Sequence, residues 1–238
     1  MAVAWEGAES VHQNNSTTPD PNSISITVDT DANLIGVAVS GYSGGASTLV
    51  DQLNFDDGGT QDFVTRGTVT FSGSDAQLQV FTMDSSSSDW PGTGSKTLYY
   101  SPTGAYTEGF QIFVFYCSGV DTTDPIRDSE TVNAGSFSSP QTSSLTGVVA
   151  GDLGIAVAWG YSGTPNVDPA TYGQTAALES ADFNNAALSV GYESGESALR
   201  VTSTASESGV FFFALKESTG GGGLSIPIAA YHYNHNLK

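Results

Sequence analysis

Period-two alternation of apolar and polar residues recurs along the chain. SISITVD (23–29) and DFVTRGTVTFSG (62–73) alternate cleanly, which predicts strands with one buried face. NLIGVAVSGY (33–42), GFQIFVFYCSG (109–119), LGIAVAWGYSG (153–163) and GVFFFALKE (209–217) are apolar at nearly every position. Runs of that length, bounded by Gly and Ser, read as strands in the core. Residues 109–119 are expected to lie centrally in a sheet, covered on both faces. STLVDQLNF (47–55), DAQLQVFTMD (75–84), SKTLYYS (95–101) and SSLTGVVAGD (143–152) read as further strands, and VDTTDPIRDSE (120–130) as a loop. Helical periodicity is nowhere sustained; the stretch most open to a single helical turn lies within 174–190.

DANLIGVAVSGYSG (31–44) and GDLGIAVAWGYSG (151–163) are nearly the same phrase. Each half opens with a strand pair and closes on an aromatic strand. The fold expected is all-β: an antiparallel β-sandwich, jelly-roll-like, with an internal pseudo-repeat, its matched strands placed in two facing sheets that interleave. The alternative is that any two apolar strands ending in Gly-rich turns look alike. Two separate small sandwiches are disfavoured, because neither half shows enough clear strands. The domain reading is an N-terminal arm over 1–21 pinned by Trp5, a sandwich over 22–218, and a Gly-hinged tail over 219–238. That tail follows TGGGG with LSIPIAAYHYNHNLK. Ile226, Ile228, Tyr231 and Tyr233 suit a docking strand, and Pro227 an edge position. It can close on its own sandwich or add to a neighbouring subunit.

Composition sharpens this picture. Twelve Phe, ten Tyr and three Trp set the chain apart from disordered Gly/Ser-rich sequences. Six Lys plus Arg against 25 Asp plus Glu give a formal charge of −19. Such a field disfavours nucleic acid and anionic membranes as partners. Cys117 is alone in an apolar run, a buried inert thiol rather than a nucleophile. The N-terminal residues have no signal-peptide character, and no window reaches the length of a membrane helix.

Candidate chemistry is sparse. His12, His232 and His235 do not complete a zinc set, and no metal or cofactor is expected. The pairs Asp29/Asp31, Asp56/Asp57 and Asp121/Asp124 read as turn carboxylates rather than calcium loops. No nucleophile elbow, phosphate loop or dinucleotide fingerprint is present. No catalytic residue is assigned, and the protein is expected not to be an enzyme. For a glycan ligand, Trp90 in SSSSDWPGTG is the first candidate and Tyr42 and Tyr161 the second; an exposed Trp90 would equally suit a subunit contact.

Asn33-Leu34, the run Phe115–Asp121 followed by Thr123-Asp124-Pro125, Gly151-Asp152-Leu153, and Phe213-Ala214-Leu215-Lys216 carry a resemblance. Over about residues 22–217 the chain resembles a β-rich module of tailed-phage structural proteins and bacterial surface proteins. It departs where DQLNFDDGG replaces a Tyr-Gly-Gly segment common in that module. The resemblance implies the sandwich fold and carries over no catalytic residue. With no export signal, it implies a virion component made in host cytoplasm: a capsid decoration, fibre or tail accessory protein. Other virion proteins and further copies of itself are the expected partners. A carbohydrate-binding or adhesion module is the alternative. A hydrolase, needing two carboxylates across a groove, stands third.

Overall fold

The computed structural model describes residues 1–13, 22–41, 48–56, 59, 61–71, 75–103, 110–135, 137, 140–167, 174–183 and 186–219. The first half holds β1 (Ala4–Gln13), β2 (Ser23–Val28), β3 (Leu34–Gly41), β4 (Val50–Asn54), β5 (Val64–Phe71), β6 (Asp75–Asp84), β7 (Gly94–Pro102) and β8 (Phe110–Ser118). The second holds β9 (Ile126–Gly135), β10 (Gln141–Thr142), β11 (Leu153–Tyr161), β12 (Pro165–Val167), β13 (Thr175–Phe183), β14 (Ala186–Ser194), β15 (Arg200–Ser203) and β16 (Glu207–Leu215).

The first eight strands form a five-stranded sheet, β1-β8-β3-β6-β5, and a three-stranded sheet, β2-β7-β4. The second eight form β9-β16-β11-β14-β13 and β10-β15-β12. Each strand of the first half therefore has its counterpart eight strands later, with the same neighbours. The doubled phrase is β3 and β11, the middle strand of each larger sheet. All pairings are antiparallel.

The layers stack three, five, five, three. One apolar cluster lies between β2-β7-β4 and the first five-stranded sheet, through Ile26, Val37, Leu53, Phe81 and Ile112. A second, between the two five-stranded sheets, contains Leu34, Phe113, Phe115, Ile155, Trp159, Phe211 and Phe213. A third lies behind β11 and β16, with Leu199, Val201 and Phe212. This explains the continuous apolar runs. β3 is buried at all eight positions and β8 at its first eight, because each five-stranded sheet is covered on both faces. Residues 109–119 are thus interior in their sheet, as their pattern predicts.

The contacts between halves are reciprocal except that β5 also meets β16, while β13 has no comparable contact with β8. β5 lies beside β9 and β1 beside β13; β3 meets β14 and β6 meets β11. Exchanging each strand for its counterpart maps these contacts onto one another, as in an isologous twofold interface. The sandwich class and the pseudo-repeat are as expected, but strands of the two halves do not interleave within a sheet. Each half closes its own sandwich of a five-stranded and a three-stranded sheet, the arrangement disfavoured from the sequence, and the two larger sheets, not the matched strands, face each other.

Several local expectations are corrected. Residues 4–13 are no arm: β1 hydrogen-bonds along β8. The polar run at 126–135 is β9, paired with β16; Asp128 and Glu130, which accept hydrogen bonds from Thr146 and Ser144, gave it the composition of a loop. Residues 143–152 form no strand, and only Gln141–Thr142 pair with β15. Residues 175–194 are the β13–β14 hairpin, with no helical turn among those described.

Bulk is shared between the facing sheets. β3 presents Leu34, Gly36, Ala38 and Ser40 to the second half, where β11 presents Leu153, Ile155, Val157 and Trp159. The ring of Phe115 covers Gly36, and a Cβ at Gly67 on β5 would sit 2.3 Å from the Phe211 ring across the interface. Gly67→Val is therefore expected to cost about 1–3 kcal/mol by overpacking. Gly135→Ala, with nothing within 4 Å of the added carbon, is expected to change stability by less than about 0.5 kcal/mol. Urea unfolding of both variants measures the contrast.

Candidate functional site

β3 and β11 begin at the same end of the stack, and the residue before each one anchors it. Asn33 pairs side chain to backbone with Val120: Nδ2 donates to the Val120 carbonyl at 2.8 Å, and Oδ1 accepts the Val120 amide at 3.1 Å. Asp152 is the counterpart, and a carboxylate can only accept. It takes the Glu217 amide at 2.8 Å, the Val149 amide at 3.0 Å, and two bonds from the Arg127 guanidinium at 2.9 and 3.2 Å. Each anchor holds the chain that emerges from the last strand of its half, β8 or β16.

Those two emerging segments also join each other. Val120 and Glu217 form an antiparallel bridge. The Ser218 amide donates to Gly119 at 2.8 Å, and the Asp121 amide to Lys216 at 2.9 Å. Gly119 has φ +70°, and a Cβ there would lie 2.3 Å from the Ala2 carbonyl oxygen. Only glycine fits that turn. The Met1 amine donates to the Ser218 carbonyl at 2.6 Å, and the Val3 amide to Gly151 at 2.8 Å. Lys216 Nζ lies 3.1 Å from Asp121 and 3.4 Å from Asp124. One pole thus gathers residues 1–3, the junction between the halves, and the last described residues.

The electrostatics follow from this geometry. Burial alone would raise the Asp152 carboxyl, but the Arg127 guanidinium and the Glu217 and Val149 amides outweigh it and hold it below the ordinary aspartate value of 3.8. Asp121 is lowered, first by the Thr123 amide and then by Lys216. Asp128 is lowered by the Thr146 amide and hydroxyl. Carboxylates clasp the backbone elsewhere too: Glu9 accepts the Thr27 amide, Glu130 that of Ser144, and Asp29 that of Asp31. Of the acidic pairs read as turn carboxylates, Asp29 accepts the Asp31 amide and Asp121 the Thr123 amide, and the described residues contain no cluster of three or more His, Cys, Asp or Glu able to hold a metal.

The named aromatics are dispersed. Trp5 lies in the central interface, stacked on Tyr192 of β14 at 4.4 Å and 3°, and on Phe115 at 5.1 Å and 10°. It couples β1 to the second half of the same chain. Trp90 is half-buried against the first apolar cluster. Tyr161 is half-buried at the edge of the central one, far along β11 from the pole. Tyr42, His232, His235, Ile226, Ile228, Tyr231 and Tyr233 lie outside the described residues, as does the side chain of His12. Of the glycan candidates, the two that are described, Trp90 and Tyr161, lie against different apolar clusters and form no common site. The anchors Asn33, Asp152 and Arg127 were missed by pattern reading, although the first two directly precede the repeated strands.

Comparison with known proteins adds no relative: no family model, curated protein or solved structure matches the chain.

Asp152→Ala is expected to cost about 3–5 kcal/mol, since it strands a guanidinium and two amides. The sign with pH follows from its lowered value. The stability it supplies is complete above 3.8 and disappears as pH falls through the lower folded-state value. Denaturation midpoints followed into acid are expected to be flatter for Asp152→Asn than for the unsubstituted protein. Cys117 is fully buried, and burial followed by the charge of Glu6 pushes its thiol up. A thiol reagent is expected to leave the native protein unlabelled and to modify one sulfur after unfolding.

Proposed function

We propose that the protein is a non-enzymatic structural component of a virion, a capsid decoration, fibre or tail accessory protein that acts by protein–protein assembly. The observation that carries this reading is the pole. A doubly buried four-layer stack is a stiff block, and its chain leaves the last described residues beside its own first ones. From there the sequence continues through a glycine run into LSIPIAAYHYNHNLK, which has six large apolar or aromatic side chains, Leu224, Ile226, Ile228, Tyr231, Tyr233 and Leu237, and one charged side chain. Among the described residues, the large hydrophobics left exposed are Met1, Val64 and Val149. These are scattered, and among the described residues they form no apolar bed for that segment, which favours docking on another subunit. The resemblance to phage structural modules supports the same reading. The strongly negative surface suits partners other than nucleic acid.

Electron microscopy of the native assembly, with the full chain and a chain ending at Thr219 compared side by side, tests this. The expected result is that the shortened chain keeps its thermal midpoint but no longer incorporates or self-associates. Equal incorporation of both forms, or a full chain that stays monomeric and is missing from the particles, would sink the proposal.

A further inference from the structure

The two halves share their strand order but differ in their outer sheets. β10, β12 and β15 have two, three and four residues. Their counterparts β2, β4 and β7 have six, five and nine. The lengthened sheet turns one face onto the first apolar cluster through Ile24, Ile26, Val28, Leu98 and Tyr100. The alternate residues form its outer face. Three cross-strand rungs run along it: Thr27 opposite Ser95, Ser25 opposite Thr97, and Ser23 opposite Tyr99. Ser25, Thr27, Ser95 and Thr97 are exposed, and Ser23 and Tyr99 half-buried.

All six side chains carry hydroxyls and none is charged, in a chain of formal charge −19. Lys96 belongs to the opposite set of positions. In the second half the corresponding strand β15 carries Arg200 and is too short to extend the pattern. The three rungs cover about 14 Å at the usual rise of a strand. On the β4 side Asn54 pairs with Tyr99, and Gly59 packs against Asn54, whose side chain lies within 3.4 Å of where a Gly59 Cβ would stand. The six outward side chains thus carry no charge and have an aromatic ring at one end, while Glu9 accepts the Thr27 amide at the β2 edge.

We propose that this face binds a neutral polysaccharide. A hydroxyl both donates and accepts, so a ladder of them matches a polyhydroxylated chain without requiring a fixed polarity. The Tyr99 ring offers an apolar surface for the C–H face of a sugar while its own hydroxyl stays polar. The six uncharged side chains avoid the desolvation penalty that a carboxylate among them would bring, and the acidic surroundings, Glu9 at the Thr27 amide included, turn polyanions away. A protein partner would want a buried apolar centre, and the six residues supply only one ring. The site is separate from the pole and does not depend on the assembly reading.

Affinity gel electrophoresis of the full chain tests it, with hydroxyethyl cellulose, dextran, mannan and galactomannan as neutral probes and dextran sulfate as the charged control. At least one neutral polymer is expected to retard the protein, and dextran sulfate to leave it unaffected. Tyr99→Ala and the surface change Thr97→Glu are each expected to weaken retardation tenfold or more, while Trp90→Ala keeps it. Thr97 is exposed, so an unchanged circular dichroism spectrum and thermal midpoint separate lost binding from lost fold. No retardation by any neutral polymer, or retardation undiminished in Thr97→Glu, overturns the proposal. So does a self-association that Thr97→Glu abolishes in the absence of any polysaccharide, which would reassign the face to a contact between copies.

Discussion

The structure depends on the packing of its two five-stranded sheets against each other. Each sheet is already covered on its other side by a smaller one, so the central strands meet no water on either face. Burial at both faces is what the apolar density of β3, β8, β11 and β16 serves. At about 25 cal/mol per Å² of apolar surface removed from water, a layer holding Trp159, Phe115, Phe211 and Phe213 with almost no exposure contributes a large share of what the folded state gains. Neither half could expose that face alone without presenting a large apolar patch. The halves are thus structurally interdependent although each completes its own hydrogen-bonded sheets.

Reciprocal contacts make the chain behave like a dimer whose subunits are joined in sequence. The correspondence of strands is complete, yet the packing is not symmetric in detail. Glycine and alanine on β3 stand where β11 carries isoleucine and valine, and Trp159 takes the place of Ser40. Once two copies are on one chain, each side of the interface can change without the other having to change identically. Bulk can then move from one sheet to its partner so long as the total volume is kept. The lengthened β2-β7-β4 sheet is the same freedom expressed at the surface.

The acidity has a structural component. Carboxylates of Glu9, Asp29, Asp121, Asp128, Glu130 and Asp152 accept backbone amides at strand ends and turns, where the ladder provides no acceptor. Asp152 is the extreme case, its side chain wholly buried and held by Arg127. A protein of sheets and tight connections has many such orphan amides, and short acceptor side chains satisfy them. The net charge is therefore partly a product of how the loops are tied down.

What the sequence determined by itself was the class of fold and its doubling. Alternation marked half-buried strands, unbroken apolar runs marked doubly covered ones, and a repeated phrase marked matched strands in the two halves. These features are local, written within ten residues, so they survive without knowledge of partners. Tertiary structure decided the rest. β9 looked like a loop because its acids point at a neighbouring segment, and β1 looked like an arm because its pairing partner lies a hundred residues away. Asn33 and Asp152 became anchors only when chain ends distant in sequence came within hydrogen-bonding reach. Interleaving against face-to-face packing was likewise undetermined by pattern: both arrangements bury the same residues, and the choice rests on which sheet edges and faces fit, a property of the assembled layers rather than of any strand.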